Sequence, residues 1–207
     1  MKFIPILFST PMVQAILKGL KTMTRRKIKL YKADEHPLRQ TSEWMQENNT
    51  CPYGKVGDVL WVRETFVKVI TIYGGEAFIY KADDNCYKDT IEDWQGWKPS
   101  LFMPKAACRI FLKIIDIRVE RLKDITREDA INEGIISWVD KRMKSKPVRY
   151  ASYCDFDNPK DPATYTSCPI NSFETLWQSI NGKDSWEGNP WVWVISFERI
   201  EKPEKFG

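Results

Sequence analysis

The chain has 207 residues, 43% of them hydrophobic, and a formal net charge of +4. The length suits one domain or one domain with a large insertion, and the apolar content excludes wholesale disorder. The charge is too mild for a dedicated duplex binder, so a polyanion would have to meet a local concentration of cations.

Residues 2–8 alternate loosely and read as a first strand rather than a signal peptide, because MKFIPILFSTPM lacks a long apolar region and a small-residue cleavage site. Thr10 is placed to cap a helix with Pro11 in its first turn, Val13, Ile16 and Leu17 share a face, and Gly19 ends it. Lys21 to Tyr31 is expected to be extended or loop-like, and residues 32–56 are polar and irregular. Gly57-Asp58 leads into a strand over 59–66. Two more strands near 67–73 and 77–81 flank a Gly74-Gly75 hairpin turn. Residues 83–107 read as a long loop, and Arg109 to Leu122 as the longest strand. Thr126 caps a short helix from Arg127 to Glu133, which Gly134 ends. Residues 137–170 are polar and read as an insertion or lid. Ser172 is placed to cap an amphipathic helix carrying Phe173, Leu176, Trp177 and Ile180, and WVWVISFE at 191–198 is the last strand.

No βαβ rhythm and no repeat is present. The pattern predicts an α+β chain, mainly β, folded as a closed or nearly closed small barrel with short helices at its ends. The polar stretches would form loops around its mouth. The five cysteines, at 51, 86, 108, 154 and 168, are odd in number and contain no Cys-x-x-Cys pair. Neither a disulfide framework nor a zinc knuckle is expected, although Cys154 and Cys168 could meet across a loop. No metal and no cofactor is expected. No apolar run approaches the roughly 20 residues that cross a bilayer, so a cytoplasmic protein is expected.

The densest chemistry lies in Gly19-Leu20-Lys21-Thr22-Met23-Thr24-Arg25-Arg26, three cations and two hydroxyls directly after a helix stop. One reading is a helix end followed by a solvated basic strand, with Lys21 favouring the helix dipole. The other is a site. His36 is the only histidine and sits in a polar stretch, so a Ser-His or Cys-His engine is set aside. A Lys can serve as base where burial or neighbouring cations lower its pKa, and Arg25 and Arg26 lie close in sequence.

GLKTMTRR resembles the signature of the ASCH domain, a relative of the PUA RNA-binding domain. Val56-Gly57-Asp58-Val59-Leu60-Trp61-Val62 is similar to that family's G-D-x-L-x-V strand, and LKDITREDAINEG at 122–134 to its Leu-x-x-Ile-x-x-x-x-Ala-x-x-Glu-Gly segment. The matching pieces span nearly the whole chain as one domain, 1–207, with insertions at 32–52, 83–107 and 137–170. The long form, with NPWVWV at 189–194, looks like ASCH proteins of phages and prophages. The resemblance implies a PUA-like β-barrel with flanking helices. It also implies an amidohydrolase acting on an acylated cytidine, with Lys21, Thr24 and Glu133 at the reacting centre. Alternatives are a non-catalytic RNA-binding module using the same cleft, or a ribonuclease. RNA or a modified nucleoside or nucleotide is the expected partner.

The geometry required is specific. In a flat strand Lys21 and Thr24 point to opposite faces, so they converge only if the chain turns between them. Thr22, Arg25, Arg26, Arg63 and Glu64 are the candidate substrate-binding residues; Arg63 and Glu64 are successive strand residues and must face opposite ways. Trp191 and Trp193 share a face that is either core or a stacking platform. KRMKSKPVR at 141–149 reads either as a phosphate contact or as a solvated loop.

Overall fold

A computed structural model describes residues 1–29, 41–48, 50–70, 75–83, 96–139, 148–151 and 166–206. The fold mixes α and β with strands dominating. Its centre is a five-stranded sheet made of β1 (Phe3–Leu7), β2 (Met23–Lys27), β3 (Val59–Arg63), β6 (Phe111–Arg121) and β9 (Trp191–Ile200), in the order β1-β3-β6-β9-β2. β1 and β3 run parallel, and the other neighbours are antiparallel. β4 (Phe66–Ile70) and β5 (Glu76–Tyr80) form a separate hairpin. The expected turn at Gly74-Gly75 lies partly outside the described residues, which omit 71–74.

Strand alternation sorts the core. On β9, Trp191, Trp193, Ile195 and Phe197 join a cluster with Ile6, Leu60, Leu112 and Ile114. Val192 and Val194 face the opposite side, where Leu122, Ile125, Ala130, Phe173, Leu176 and Trp177 gather. Trp191 and Trp193 are therefore core residues rather than an open stacking platform, and both are buried. The sheet does not close through a ladder among the described residues. β1 and β2 are its edges, and Arg26 Nη2 crosses between them, donating to the Leu7 carbonyl at 2.8 Å.

Three helices pack against this frame. α1 (Thr10–Leu17) begins one residue earlier than expected, with Ser9 as its N-cap. α3 (Arg127–Asn132) is capped by Thr126, whose hydroxyl accepts the Asp129 N–H at 3.1 Å, as its sequence required. α4 (Pro169–Asn181) starts three residues before Ser172, which is buried within it. Cys168 takes the cap position, because Pro169 fits a first helical turn, where its missing N–H costs nothing. A further helix, α2 (Ser42–Asn48), lies in the stretch read as irregular, and the Thr41 hydroxyl accepts the Trp44 N–H at its start. A hairpin of β7 (Ile136–Val139) and β8 (Val148–Ala151) occupies part of the expected lid. His36, Cys86, Cys154 and residues 141–147 of the basic run lie outside the described residues. Cys168 is free. Among the described residues, no helix is long and apolar enough to cross a membrane.

Candidate functional site

The site begins with the way two helices stop. Gly19 adopts φ +71°, its N–H bonds to the Ile16 carbonyl at 3.0 Å, and the Leu20 N–H reaches back to Ala15 at 2.8 Å. This paired closure is a Schellman motif, and it needs a residue without a Cβ penalty at the left-handed position. α3 ends the same way. Gly134 takes φ +97°, Gly134 N–H bonds to Ile131, and Ile135 N–H to Ala130. The first motif turns the chain across the end of α3. Thr22 N–H then donates to the Asn132 carbonyl at 2.9 Å, and Lys21 pairs with Glu133 in an isolated antiparallel bridge.

Lys21 is thereby carried inward. Its amine donates to the Glu133 carbonyl at 3.0 Å and to Glu133 Oε2 at 2.6 Å, with its side chain wholly buried. The main-chain contact satisfies one of the carbonyls that a helix C-terminus leaves open, and a cation there suits the dipole. Lys21 does act as a helix-end cation, but on α3 rather than on the helix preceding it in sequence. Burial pushes its pKa below the ordinary value against the pull of Glu133, with Arg26 and Arg25 adding to the downward push.

Arg25 completes the network. Its Nη1 lies 3.4 Å from Glu133 Oε1, while Nη2 bonds Glu120 at 2.6 Å and Asp129 at 2.8 Å. Arg118 holds the same two acids from the other side, at 3.1 and 2.7 Å. Asp129 is held below the ordinary carboxylate range: burial alone would raise its pKa, and Arg25 and Arg118 outweigh it. Lys21 and Arg25 share the odd-numbered side of the strand, so alternation brings both to Glu133.

Beside this network lies a recess of about 70 Å³ whose wall includes Thr24, Arg25, Arg26, Glu133, Trp177 and Asn181. It draws residues from both faces of β2 because it sits at that strand's open edge. The bonds from Phe197 N–H to the Thr22 carbonyl and from Ile28 N–H to Trp191 turn the even-numbered backbone groups toward β9. The amide and carbonyl of Arg25 and Lys27 therefore point outward. Three buried donors on wall residues have no protein partner: Arg25 Nε, Arg26 Nε and Trp177 Nε1. The remaining Arg26 contacts fix its plane, with the guanidinium 5.1 Å from the Phe8 ring centroid and 5.9 Å from that of Tyr53.

The structure thus brings Lys21, Arg25 and Glu133 into direct contact and sets Thr24 and Arg26 on the wall that Glu133 shares. Lys21 does not line the recess; its amine is sealed behind Glu133. Thr22 is exposed and contributes through its backbone. Arg63 and Glu64 lie outside the recess. Glu64, 1% exposed, receives both Nε and Nη2 of Arg109 at 2.9 Å, and Arg109 also bonds Asp83 and lies 3.8 Å from the Tyr80 ring centroid. Arg63 turns the other way and donates to the Leu101 carbonyl. The expected divergence of the two is realised, in a second cluster separate from the first.

Sequence reasoning missed Glu120, Asp129, Arg118 and the α4 wall. A signal existed for part of this. Asp116, Arg118 and Glu120 alternate along one strand face, and Asp129 sits one helical turn before Glu133. Among the described residues, no group of three or more His, Cys, Asp or Glu is arranged to hold a metal ion. Comparison with known protein families, with characterised proteins and with solved structures finds no match.

Proposed function

We propose that this is an ASCH-type domain with a PUA-like sheet, and that it hydrolyses the amide of an acylated, cytidine-type nucleoside at the recess beside β2. One observation carries the reading: a hydroxyl, Thr24, and a carboxylate, Glu133, share a small wall with three buried N–H donors that have no partner. Amide hydrolysis needs a nucleophile, a base and donors for the oxyanion, and these are the groups present. The fold assignment is supported by the order of the motifs and by the edge strands β1 and β2, which lie close enough for Arg26 to bridge them.

The reaction divides into two steps. Glu133 takes the Thr24 proton as the hydroxyl oxygen attacks the acyl carbon, and the charge that develops on the carbonyl oxygen is met by N–H donors of the arginines and Trp177. The C–N bond breaks, the nitrogen leaves as the exocyclic amine with the proton from Glu133, and the acyl group remains as an ester on Thr24. Water, deprotonated by Glu133, then cleaves the ester, so that amide and water give amine and carboxylic acid. Lys21 is a positioning residue. It orients Glu133 through the 2.6 Å contact of its amine with Oε2 and through the bond to the Glu133 carbonyl.

The size of the recess fits this division of labour. About 70 Å³ is roughly the share of two liquid waters, room for an acyl group or a base edge and not for a sugar. The test is incubation with 4-acetylcytidine and chromatographic detection of cytidine and acetate. Release that vanishes in Thr24→Ala and Glu133→Gln supports the reading; no release by the unaltered protein overturns it.

A second reading has its own observation: the Lys21 amine is committed to the end of α3 and does not face the recess. The cleft would then bind RNA without cleaving any bond, the outward main-chain groups of β2 meeting a base edge. In that case Thr24→Ala changes affinity a few-fold and no product forms with any acylated nucleoside.

A further inference from the structure

A second concavity adjoins the first. It is open, about 570 Å³, and lined by Lys27, Lys29, Arg121, Pro190 and Trp191, with Lys27 belonging to both walls. We propose that this cleft binds the phosphate of a nucleotide whose base edge enters the recess, so that the substrate is a phosphorylated nucleoside, free or within a single strand, rather than a bare nucleoside. The inference rests on the nucleoside reading above and names the part of the ligand that the small recess has no room for.

Three observations carry it. The described lining holds three cations and no acid. Among the described residues, two acids that neighbour the lining in sequence are already engaged: Glu187 with Lys123 at 2.8 Å, and Glu120 with Arg25 and Arg118. Arg121 is held in place before any ligand arrives. Its guanidinium lies 4.3 Å from the Trp191 ring centroid and Nη1 donates to the Asn189 carbonyl at 3.1 Å. A planar fork fixed in this way suits phosphate geometry, because little side-chain freedom is lost on binding. The loop beneath is pinned as well: Asn189 Oδ1 accepts the Lys123 N–H at 2.8 Å and the Pro190 carbonyl accepts the Leu122 N–H at 3.0 Å. The spacing of the two sites follows from one strand. Thr24 to Lys27 border the recess and Lys27 to Lys29 border the cleft, so a ligand running along β2 at about 3.3 Å per residue passes from one to the other within a nucleotide's length.

The experiment measures binding by calorimetry at low salt, on the full chain, of 4-acetylcytidine, its 5′-monophosphate and a trinucleotide with 4-acetylcytidine at its centre. The monophosphate is expected to bind at least about tenfold more tightly than the nucleoside, with the preference shrinking as salt rises. In Lys29→Gln/Arg121→Gln the ratio of nucleotide to nucleoside affinity should fall toward one. Lys29→Gln alone, an exposed change, should lower the ratio part of the way even if loss of Arg121 loosens Trp191. Tighter binding of the trinucleotide assigns the phosphate to a strand, and tighter binding of the monophosphate assigns it to a free nucleotide; both support the cleft. Equal affinity for nucleoside and nucleotide overturns this inference and leaves the hydrolase reading standing. Failure of all three ligands to bind overturns the hydrolase reading and this inference with it.

Discussion

Lys21 reaches both the carboxylate and the main-chain carbonyl of Glu133, so one side chain closes the end of α3 and orients the acid at the recess. The two residues lie 112 positions apart, joined by two glycine-ended helices. A buried pair of this kind is costly to break from one side, since the surviving charge stays desolvated. Lys21→Met leaves Glu133 with only the longer Arg25 contact and opens the α3 carbonyl. It should lower stability by about 3–5 kcal/mol. Adding Glu133→Gln to the same protein should restore part of the loss, because the uncompensated charge goes with it. Urea unfolding of the two single variants and the double closes the cycle; an unmoved midpoint in Lys21→Met would contradict the capping role.

Thr24 is the test of covalent chemistry. If its hydroxyl attacks the acyl carbon, rapid acid quenching of the protein with 4-acetylcytidine should trap an acetyl group on the peptide carrying residues 22–25, seen by mass spectrometry. Glu133→Gln should slow turnover by about 10²–10⁴-fold, the usual contribution of a positioned acid–base group. Thr24→Val, nearly the same shape without a hydroxyl, should keep the fold and lose the adduct. Turnover by Thr24→Val at the normal rate would transfer the attack to water and leave Thr24 as a wall residue only.

Much of this site was legible in the sequence, for physical reasons. Long strands such as 109–122 and 191–198 declare themselves because β-branched and aromatic residues persist over many positions. Gly19 and Gly134 were readable as helix ends because left-handed geometry selects glycine. The link between GLKT and the segment ending in Glu133 was visible only as motif order, and its cause is one cap shared by two chain ends. What was hidden is equally physical. α2 has no apolar face to give it a period, and β7 and β8 are four-residue strands among polar neighbours. Glu64 read as ligand-facing because its partner, Arg109, is 45 residues away and only the topology brings them together. The orphan Trp177 donor could not be foreseen, since a Trp on an amphipathic helix reads as core and gives no sign of which atoms go unsatisfied.

The pH dependence of stability should show three windows, two in which stability rises with pH and one in which it falls. Asp58 is held below its ordinary 3.8, chiefly by the Lys2 N–H at 2.7 Å. The unfolded chain takes up that proton first, so the contribution is present above 3.8 and lost as pH falls through the folded value. Burial raises Glu64 above its ordinary 4.5 despite Arg109. The folded state then binds the proton first, and that contribution is present below 4.5 and lost as pH rises through the folded value. Lys21, lowered by burial, releases its proton earlier in the folded state than at 10.5, so stability gains as pH climbs from its folded value toward 10.5. Unfolding series of the unaltered protein against Asp58→Asn, Glu64→Gln and Lys21→Met separate the three. The difference from each variant should change only within that residue's window, and a flat difference would remove that residue from the account.

Glu64 and Arg109 distinguish a folding role from a ligand-binding one. Glu64 is almost wholly buried, its two oxygens both taken by Arg109, whose side chain is 28% exposed and also serves Asp83. Tyr80 stacks on the same guanidinium, and its hydroxyl, with burial raising its pKa to about 12, donates to the Ala107 carbonyl at 2.6 Å. Every polar group of the cluster is directed at another part of the chain, which ties the β4–β5 hairpin to the start of β6. Arg109→Met should therefore leave a desolvated carboxylate and destabilise the fold by about 3 kcal/mol, at the low end for a buried pair because the arginine is partly solvated. Arg109→Met/Glu64→Leu should recover most of that loss. If Glu64 serves only the fold, the double variant binds 4-acetylcytidine as the unaltered protein does; a double variant that is stable yet loses binding would return Glu64 to the ligand.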